Sequence, residues 1–340
     1  MLRFVRVTPA IVSMALLIGS CARPVVSQSG VANGTGDGRH GSVHEATFLS
    51  QSLGVRKRVA VYLPPSYERD ATRRFPVAYY LHGLGGSETD WLSRASIDDI
   101  ADSLFTAGTP EMIVVLPDGD DGWYTNWVDP VPYAACADTT RTESPHRYCV
   151  QKANYEDYIA RDVVAFIDSR YRTISDRAHR GIGGLSMGGY GAMILSLRNP
   201  DVFSAAASHS GVVSPMYTGG RPFAAPARYA TNVDSLRIAG GSFWSRYTRS
   251  FGTDLERWRA ADPARTAERL KQAGRQFPAL FFDCGREDGL VDQNRAFDWE
   301  LTRLGVPRRY AEYSGAHTWR YWSTHVPESM TWMARQIGAE

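Results

Sequence analysis

The sequence has little excess of charge of either sign. Its 340 residues carry 38 basic and 36 acidic side chains, which gives a formal net charge of +2 at pH 7. Lysine is scarce: only Lys57, Lys152 and Lys271 occur, and the other basic side chains are arginines. No basic stripe of the kind that contacts nucleic-acid phosphates is present. The charge therefore gives no indication of a nucleic-acid partner, and 43% hydrophobic residues are typical of an ordinary globular protein.

The N-terminal apolar run is too short to span a bilayer as a stable helix. It covers only Ile11 to Ile18, and it follows Arg3 and Arg6. Such a basic and then apolar segment, ending at small residues, is typical of a secretory signal. The sequence Ile18-Gly19-Ser20-Cys21 further resembles a bacterial lipobox, in which the cysteine is lipidated. An ordinary signal peptide with an incidental Cys21 is the alternative.

These patterns predict three regions. Residues 1–21 form a signal peptide with a lipobox, residues 22–42 form a flexible linker of small and polar residues, and residues 43–340 form one folded domain. We therefore expect an exported protein of the cell envelope, held on a bacterial membrane by a lipid at Cys21, or otherwise secreted. The oligomeric state and the identity of that membrane stay open.

Cysteine is nearly absent, with four in the whole chain. Cys136 and Cys149 lie in one polar segment, and an exported location permits a disulfide. A bridge between them would close a short loop, worth about 3 kcal/mol in the chain-entropy model. Cys284 ends an apolar strand pattern, so we expect an unpaired thiol in the core.

Short apolar runs alternate with helix-like segments along the chain. Fully apolar strands interleaved with helices predict α/β architecture, with a mostly parallel central sheet covered by helices on both faces. Two β-like runs before them, at 47–49 and 55–63, predict an antiparallel hairpin. The predicted parallel strands are 77–81, 112–116, 181–184, 205–208, 279–282 and 309–313, and the predicted helices are 155–170, 190–197 and 298–304.

Two segments interrupt this alternation. Residues 122–147 contain aromatic residues and the cysteine pair, and residues 211–243 are rich in Gly, Pro and Tyr. Long insertions without regular structure are usually functional loops. In an open α/β sheet we expect them to lie over the carboxyl edge, where ligands bind.

Residues 184–188 have the form G-x-S-x-G, with Ser186 at the centre. This pattern is typical of a nucleophile elbow, a sharp turn from strand to helix that exposes the serine hydroxyl. Gly184 and Gly188 suit such a turn, because a Cβ at either position would clash as strand and helix close up. The same stretch begins like the dinucleotide pattern G-x-G-x-x-G, but its sixth position is Ser186, so that pattern fails.

A serine nucleophile needs a base and an orienting acid, and in α/β-hydrolases these follow it in the order acid, then histidine. Asp288 follows the strand pattern at 279–282, and His317 follows the one at 309–313. We predict these two as acid and base. Glu287 and Asp292 are the alternative acids and His325 is the alternative base. His209 is expected to support a loop.

Acyl transfer also needs hydrogen-bond donors for the oxyanion. One candidate is the backbone N–H of Met187, directly after the nucleophile. The turn after an earlier strand contains His82-Gly83-Leu84-Gly85-Gly86, whose glycines would let the N–H of Leu84 face the same pocket.

Taken together, these motifs resemble the esterase D or "putative esterase" family of α/β-hydrolases. That family includes feruloyl and acetyl-xylan esterases, short-chain carboxylesterases, S-formylglutathione hydrolases and mycolyltransferases of the antigen 85 group. The resemblance extends over about 43–333. The residues that carry it are Val61 to Pro65, Pro76 to Gly86, Pro117 to Gly119, Trp123 to Trp127, the Ser186 elbow, Cys284 to Asp288 and Gly315 to Trp322.

The resemblance implies the α/β-hydrolase fold and the roles given above for Ser186, Asp288, His317, Leu84 and Met187. It also implies substrate contacts in the cleft, for which the candidates are His82, Gly83, Trp123, Tyr124 and Asn126. The insertion between Cys136 and Cys149 departs from a minimal member of the family and could narrow the acyl pocket.

The resulting expectation is a serine carboxylesterase that needs neither metal nor cofactor. Its substrates would be short-chain or aromatic esters, including ones linked to carbohydrate. An acyltransferase of the mycolyltransferase type, which passes the acyl group to a sugar hydroxyl, is the enzymatic alternative. A thioesterase acting on formylglutathione fits less well, because that chemistry is usually cytosolic. A binding module on an inactive hydrolase scaffold is the alternative of another class.

Overall fold

The computed structural model describes residues 40–128 and 150–338. Over these ranges the chain forms a sheet of eight strands in the order β1-β2-β4-β3-β5-β6-β7-β8. β1 pairs antiparallel with β2 and β2 antiparallel with β4, whereas every pairing from β4 to β8 is parallel. The strands are β1 (Ser42–Leu49), β2 (Arg56–Leu63), β3 (Val77–Leu81), β4 (Ile113–Pro117), β5 (Arg180–Leu185), β6 (Ala205–His209), β7 (Ala279–Gly285) and β8 (Arg309–Tyr313).

Helices cover both faces of this sheet. Among the described residues, a π-helical turn (Tyr158–Val163) joins α3 to α4, and a 3-10 turn (Gly241–Phe243) joins α6 to α7. The helices are α1 (Asp90–Ala95), α2 (Ile97–Thr106), α3 (Tyr155–Asp157), α4 (Val164–Arg170), α5 (Met187–Arg198), α6 (Val233–Gly240), α7 (Trp244–Phe251), α8 (Leu255–Ala261), α9 (Pro263–Gln272), α10 (Val291–Arg303) and α11 (Trp319–Ile337).

The central strands are apolar along their whole length because both faces of the sheet are covered. All five residues of β3 are buried. Val77, Tyr79 and Leu81 pack in one hydrophobic cluster, with α5 and α10. Ala78 and Tyr80 point to the opposite face and pack with α1, α2 and α11. This alternation follows from the two-residue period of a strand, and the predicted fold class, a mostly parallel sheet with flanking helices, is confirmed.

Most predicted elements are present, with shifted ends. The helical stretch at 155–170 and the strands at 77–81 and 309–313 are as predicted. The predicted hairpin is present, but its first strand begins at Ser42 rather than at residue 47. The last predicted helix starts earlier, at Val291. In the part of the chain that the structure describes, no helix is long and apolar enough to cross a membrane.

The prediction that 211–243 lacks regular structure is wrong at its C-terminal end. Helix α6 begins at Val233, and its N-terminus is capped by a reciprocal capping box between Asn232 and Ser235. Helices α6 to α9 then form a cap between β6 and β7, packed around the buried side chain of Trp258. The cap lies on the α5 side of the sheet, since Tyr190 in α5 donates a hydrogen bond to the carbonyl of Ala261 (2.8 Å).

Candidate active site

The parallel strands bring four loops together at one edge of the sheet. Each of β3, β5, β7 and β8 ends at this edge and leads into a loop or turn. These segments carry, in chain order, the glycine-rich turn at 82–86, Ser186, Asp288 and His317. The carboxyl edge of an open α/β sheet is where ligands bind in such folds.

Ser186 stands between β5 and α5 in a conformation that side-chain-bearing residues rarely adopt (φ 53°, ψ −117°). Its N–H donates to the carbonyl of His209 in the neighbouring strand (2.9 Å). The turn also needs its glycines. A Cβ at Gly184 would lie 2.5 Å from the backbone of Gly188, and one at Gly188 would lie 2.3 Å from the carbonyl oxygen of Leu81. The predicted elbow geometry is therefore present.

Three predicted side chains form one hydrogen-bonded chain. Ser186 Oγ lies 2.9 Å from His317 Nε2, and His317 Nδ1 lies 2.8 Å from Asp288 Oδ2. Asp288 is buried, and its other carboxylate oxygen accepts a hydrogen bond from the N–H of Leu290 (2.8 Å). About a third of the His317 side chain is exposed, so it can exchange protons with bound molecules. This arrangement can deprotonate the serine as it attacks a carbonyl.

The acid and base loops are held against each other by backbone contacts. Arg286 N–H donates to the carbonyl of Tyr313 (2.8 Å), and Glu287 N–H donates to that of Gly315 (3.1 Å). Gly285 lies so close to Gly315 that an added Cβ would overlap the Gly315 carbonyl. These contacts fix the distance between the two loops and thereby the pairing of Asp288 with His317.

The alternative acids and base are engaged elsewhere. The Glu287 carboxylate accepts the N–H of Gly315. Asp292 accepts the N–H of Phe223 (2.7 Å) and lies 3.1 Å from Arg295. His325 is stacked on Tyr313 with ring centroids 4.2 Å apart, and burial lowers its pKa.

His209 lies buried behind the elbow. Its Nδ1 is 2.7 Å from Asp283 Oδ2, and its Nε2 is 2.7 Å from Ser329 Oγ. The hydroxyl of Tyr321 donates to the other carboxylate oxygen of Asp283, at 2.9 Å. This network joins β6, β7 and α11, which matches the supporting role expected for His209.

Two backbone N–H groups are available for an oxyanion. Met187 is the first residue of α5, so its N–H is one of those without an intrahelical acceptor, and the helix dipole adds positive potential there. Leu84 follows Gly83 in the turn after β3, and the turn is closed by Gly86 N–H donating to the Gly83 carbonyl (3.1 Å). Asp121 anchors the turn by accepting the N–H of Gly85 (2.7 Å).

A cavity of about 900 Å³ opens above Ser186. Its size is within the range of small-molecule sites. Thr318, Trp319, Trp322 and Arg94 lie on the His317 side, and the Arg94 guanidinium stacks on Trp319. Across from them are Leu84, Trp123, Val212, Tyr247 and the cap residues 238–243.

The candidate substrate contacts divide into two groups. Gly83 and Trp123 line the cavity. His82, Tyr124 and Asn126 instead hold the surrounding loops: His82 Nε2 accepts from Gly119 N–H (2.9 Å) and Tyr124 donates to the His82 carbonyl (3.0 Å). Asn126 accepts the N–H of Glu156 (3.1 Å) and donates to Asp157 (3.0 Å).

Trp123 reaches the cavity because two consecutive residues adopt left-handed conformations. Trp123 has φ 51° and Tyr124 has φ 48°. Such strain in residues with side chains clusters at functional sites. The turn packs the Trp123 ring against Tyr247, with centroids 4.7 Å apart, and buries Tyr124 beneath the glycine-rich turn.

The sequence analysis missed several cavity residues. Val212 follows β6 in the predicted loop 211–243 but was given no role of its own. Tyr247 gave no signal, because its position depends on how the cap folds. Trp319 and Trp322 belong to the motif around His317 but were given no binding role.

Some predicted sites lie outside the described residues, namely Cys21, Cys136 and Cys149. Cys284 is buried and unpaired, as expected. Across residues 40–128 and 150–338, no group of three or more His, Cys, Asp or Glu side chains is placed to hold a metal ion.

Comparison with known proteins agrees with this architecture. The chain is 29% identical over 282 residues to Esterase MT1326 of Mycobacterium tuberculosis (strain CDC 1551 / Oshkosh), covering 80% of this chain and 55% of that protein. The chain thus spans about half the length of that curated relative. It is 25% identical over 303 residues to an acetyl esterase of Caldicellulosiruptor saccharolyticus, covering 86% of this chain and 98% of the relative.

Solved structures of similar fold include a ferulic acid esterase, with a TM-score of 0.62 and 27% identity over 88% of this chain and 99% of that one. An S-formylglutathione hydrolase from Agrobacterium tumefaciens has a TM-score of 0.65 and 20% identity over 92% of this chain and 99% of that one, and shows likeness of fold alone. The family model described as "Putative esterase" matches residues 50–333. The chain therefore belongs to this esterase family and has the α/β-hydrolase fold.

Proposed function

We propose that this protein is an exported serine carboxylesterase that hydrolyses short-chain or aromatic esters of the acetyl or feruloyl type through an acyl-enzyme. The observation that carries the proposal is the hydrogen-bonded chain from Ser186 through His317 to Asp288 at the floor of the cavity. Membership of the esterase family and the similarity to an acetyl esterase and a ferulic acid esterase support the substrate class.

In the first step, Ser186 Oγ attacks the ester carbonyl while His317 Nε2 takes the hydroxyl proton. The 2.9 Å separation of these atoms suits that transfer. Asp288 accepts the Nδ1–H of His317, keeps the imidazole in the required tautomer and stabilises the imidazolium that forms.

The tetrahedral intermediate carries its negative charge on the former carbonyl oxygen. The N–H groups of Leu84 and Met187 would donate to this oxyanion, and each such donor commonly lowers the barrier by about 3 kcal/mol. His317 then gives its proton to the leaving alcohol, and the acyl group stays on Ser186.

Deacylation repeats these steps with water. His317 takes a proton from a water molecule that attacks the acyl-enzyme, and it returns that proton to Ser186 Oγ. The acid is released and the serine is restored. An acceptor sugar that displaced this water would turn the same intermediate to acyl transfer.

The test uses p-nitrophenyl acetate and methyl ferulate with the wild type and Ser186→Ala. We expect wild-type turnover and a loss in kcat of at least about 10⁴-fold in the variant, because the nucleophile is removed. A fluorophosphonate probe should label the wild type alone. Ser93→Ala, which changes an exposed serine outside the cavity lining, is the matched control and should keep both properties.

Three results would contradict the proposal. Labelling that persists in Ser186→Ala would place the nucleophile elsewhere. A wild type that is neither labelled nor active would favour a binding module. Products that appear only with an added sugar acceptor would instead point to an acyltransferase.

A further inference from the structure

Exposed large hydrophobic side chains are concentrated beside the cavity. Five such residues occur within the described ranges. Three of them, Val233, Ile238 and Phe243, lie in one segment of eleven residues, 233–243, at the start of the cap. Ile238 is 79% exposed and Phe243 is 44% exposed. Both line the cavity that contains Ser186, whereas Val233 does not. Exposed apolar side chains that also line a ligand cavity are candidates for contact with the ligand.

The chemistry of the proposed reaction determines which wall of the cavity contacts the alcohol portion of the ester and which contacts the acyl portion. The leaving alcohol must lie next to His317 Nε2, which gives it a proton. The wall beside His317 contains Trp319, Trp322 and Arg94, so the alcohol portion belongs there. The oxyanion points at the N–H groups of Leu84 and Met187. The acyl chain must therefore lie against the remaining wall, which is on the cap side.

Apolar side chains line the inner part of the cap-side wall, and the cavity lining also contains the polar side chains of Arg221, Ser242 and Gln293. Near Ser186 the wall is formed by Val212, Trp123 and Tyr247, all of them buried. This inner part suits a short or aromatic acyl group. The segment 238–243 continues the wall to the surface, where Ile238 is exposed and the partly exposed ring of Phe243 lies against Tyr247, with centroids 6.1 Å apart.

We infer that Ile238 and Phe243 form an outer acyl subsite, which takes the distal part of an unbranched apolar acyl chain of medium length. This subsite rests on the proposed function and extends it from the inner pocket to longer chains. The occupant is the substrate's own acyl chain because the apolar surface is continuous with the nucleophile. Complete burial of one methylene would improve kcat/KM up to about fourfold.

The experiment compares p-nitrophenyl acetate with p-nitrophenyl octanoate below its micellar concentration. The readout is the ratio of kcat/KM for octanoate to that for acetate. Replacing both side chains, in Ile238→Asn with Phe243→Asn, should lower this ratio about tenfold through KM for octanoate. Both residues are exposed, so folding should be maintained, which an unchanged Tm would verify.

Val233→Asn is the matched control, because it removes an exposed apolar side chain from the same helix without touching the cavity. It should keep the wild-type ratio. An unchanged ratio in the double variant would overturn the subsite, as would an equal change in the control. So would weaker binding to phosphatidylcholine vesicles with an unchanged ratio, which would make the patch a membrane contact.

The two proposals fail in distinguishable ways. If the wild type is inactive on acetate and octanoate alike, the proposed esterase function is wrong. If the wild type is active but the double variant keeps its selectivity, the function stands and the outer subsite is wrong.

Discussion

At the scale of single residues, Ser186 shows how strain is tolerated at the site. Its backbone conformation costs about 1–3 kcal/mol. The surrounding structure holds it there through the hydrogen bond from Ser186 N–H to the His209 carbonyl and the one from Tyr190 N–H to the Ser186 carbonyl (3.0 Å). Gly184 and Gly188 permit the close approach of strand and helix. The hydroxyl is therefore presented at the edge of the sheet rather than buried in it.

A second residue-scale feature is the carboxyl group of Asp262, fully buried at the start of α9. Burial raises its pKa from 3.8 to about 6, although the N–H groups of Arg265 and Met216 donate to it. The folded state therefore binds this proton more tightly than the unfolded state. Its contribution to stability is complete below pH 4 and is lost as the pH rises through 6.

Asp262→Asn should remove this pH dependence, because the amide stays neutral. Met216 and Arg265 donate to different carboxylate oxygens, so the amide oxygen can accept only one of them and the variant should also lose stability by an amount that does not depend on pH. We expect the free energy of unfolding of the variant, relative to wild type, to rise by about 3 kcal/mol between pH 4 and pH 7. Urea unfolding at several pH values measures it. The exposed Asp234→Asn should show no such trend, and a constant difference for Asp262→Asn would contradict the assignment.

At the scale of elements, the site depends on the network behind the elbow. Asp283 lies in β7, two residues before that strand ends at Gly285, and Tyr321 lies in the first turn of α11, four residues after His317. The hydroxyl of Tyr321 donates to Asp283 at 2.9 Å, and burial and the Asp283 charge raise the pKa of Tyr321, so it stays a donor. His209 in β6 approaches the same carboxylate. One buried acid thus joins three elements that carry or support the triad.

Tyr321→Phe should loosen the base loop without touching the cavity. Loss of a donor to a buried carboxylate should destabilise the fold by about 1–3 kcal/mol. We also expect kcat to fall at least fivefold with little change in KM, because His317 would be positioned less well. Esterase kinetics and thermal unfolding measure both. Tyr313→Phe, whose hydroxyl contacts Glu328 instead, is the control, and a lower Tm with unchanged kcat would show a purely structural role.

At the scale of the whole molecule, the two walls of the cavity come from different layers. The His317 wall belongs to α1 and α11, where Trp91 and Trp319 pack edge to face at 5.5 Å. The opposite wall belongs to the cap and to Trp123 on the other face of the sheet. The nucleophile therefore lies where two hydrophobic layers meet, and each layer would recognise one half of an ester.

Location is also a property of the whole chain. We propose that Cys21 carries a lipid and that the chain between Cys21 and β1 tethers the domain to a membrane, which the N-terminal sequence pattern supports. Cys21→Ala should move the protein from the membrane fraction to the soluble fraction, as followed by detergent-phase partitioning. Ser20→Ala retains a small residue before the cysteine and should stay in the membrane. Unchanged partitioning of Cys21→Ala would count against lipidation.

Much of the fold could be read from the sequence because its signals are local. Short apolar runs identified the parallel strands, since strands buried on both faces must be apolar throughout. The order of Ser186, Asp288 and His317, each after a strand, predicted their approach because parallel strands end at the same edge. The predicted loop at 211–243 was wrong because Asn232 and Ser235 cap a helix there, in a segment whose composition resembles a loop.

The sequence by itself determined the sheet, the elbow and the candidate triad. Apolar strand patterns and glycine spacing depend on residues that are close in the chain, and the chain order places each triad residue after a parallel strand. Only the tertiary structure decided which side chains face the substrate cavity. Trp123 lines the cavity and Tyr124 does not. Tyr247 and Ile238 also line it, although they lie more than 110 residues after Trp123 in the chain. These choices depend on how the cap packs on the sheet, which long-range contacts alone determine.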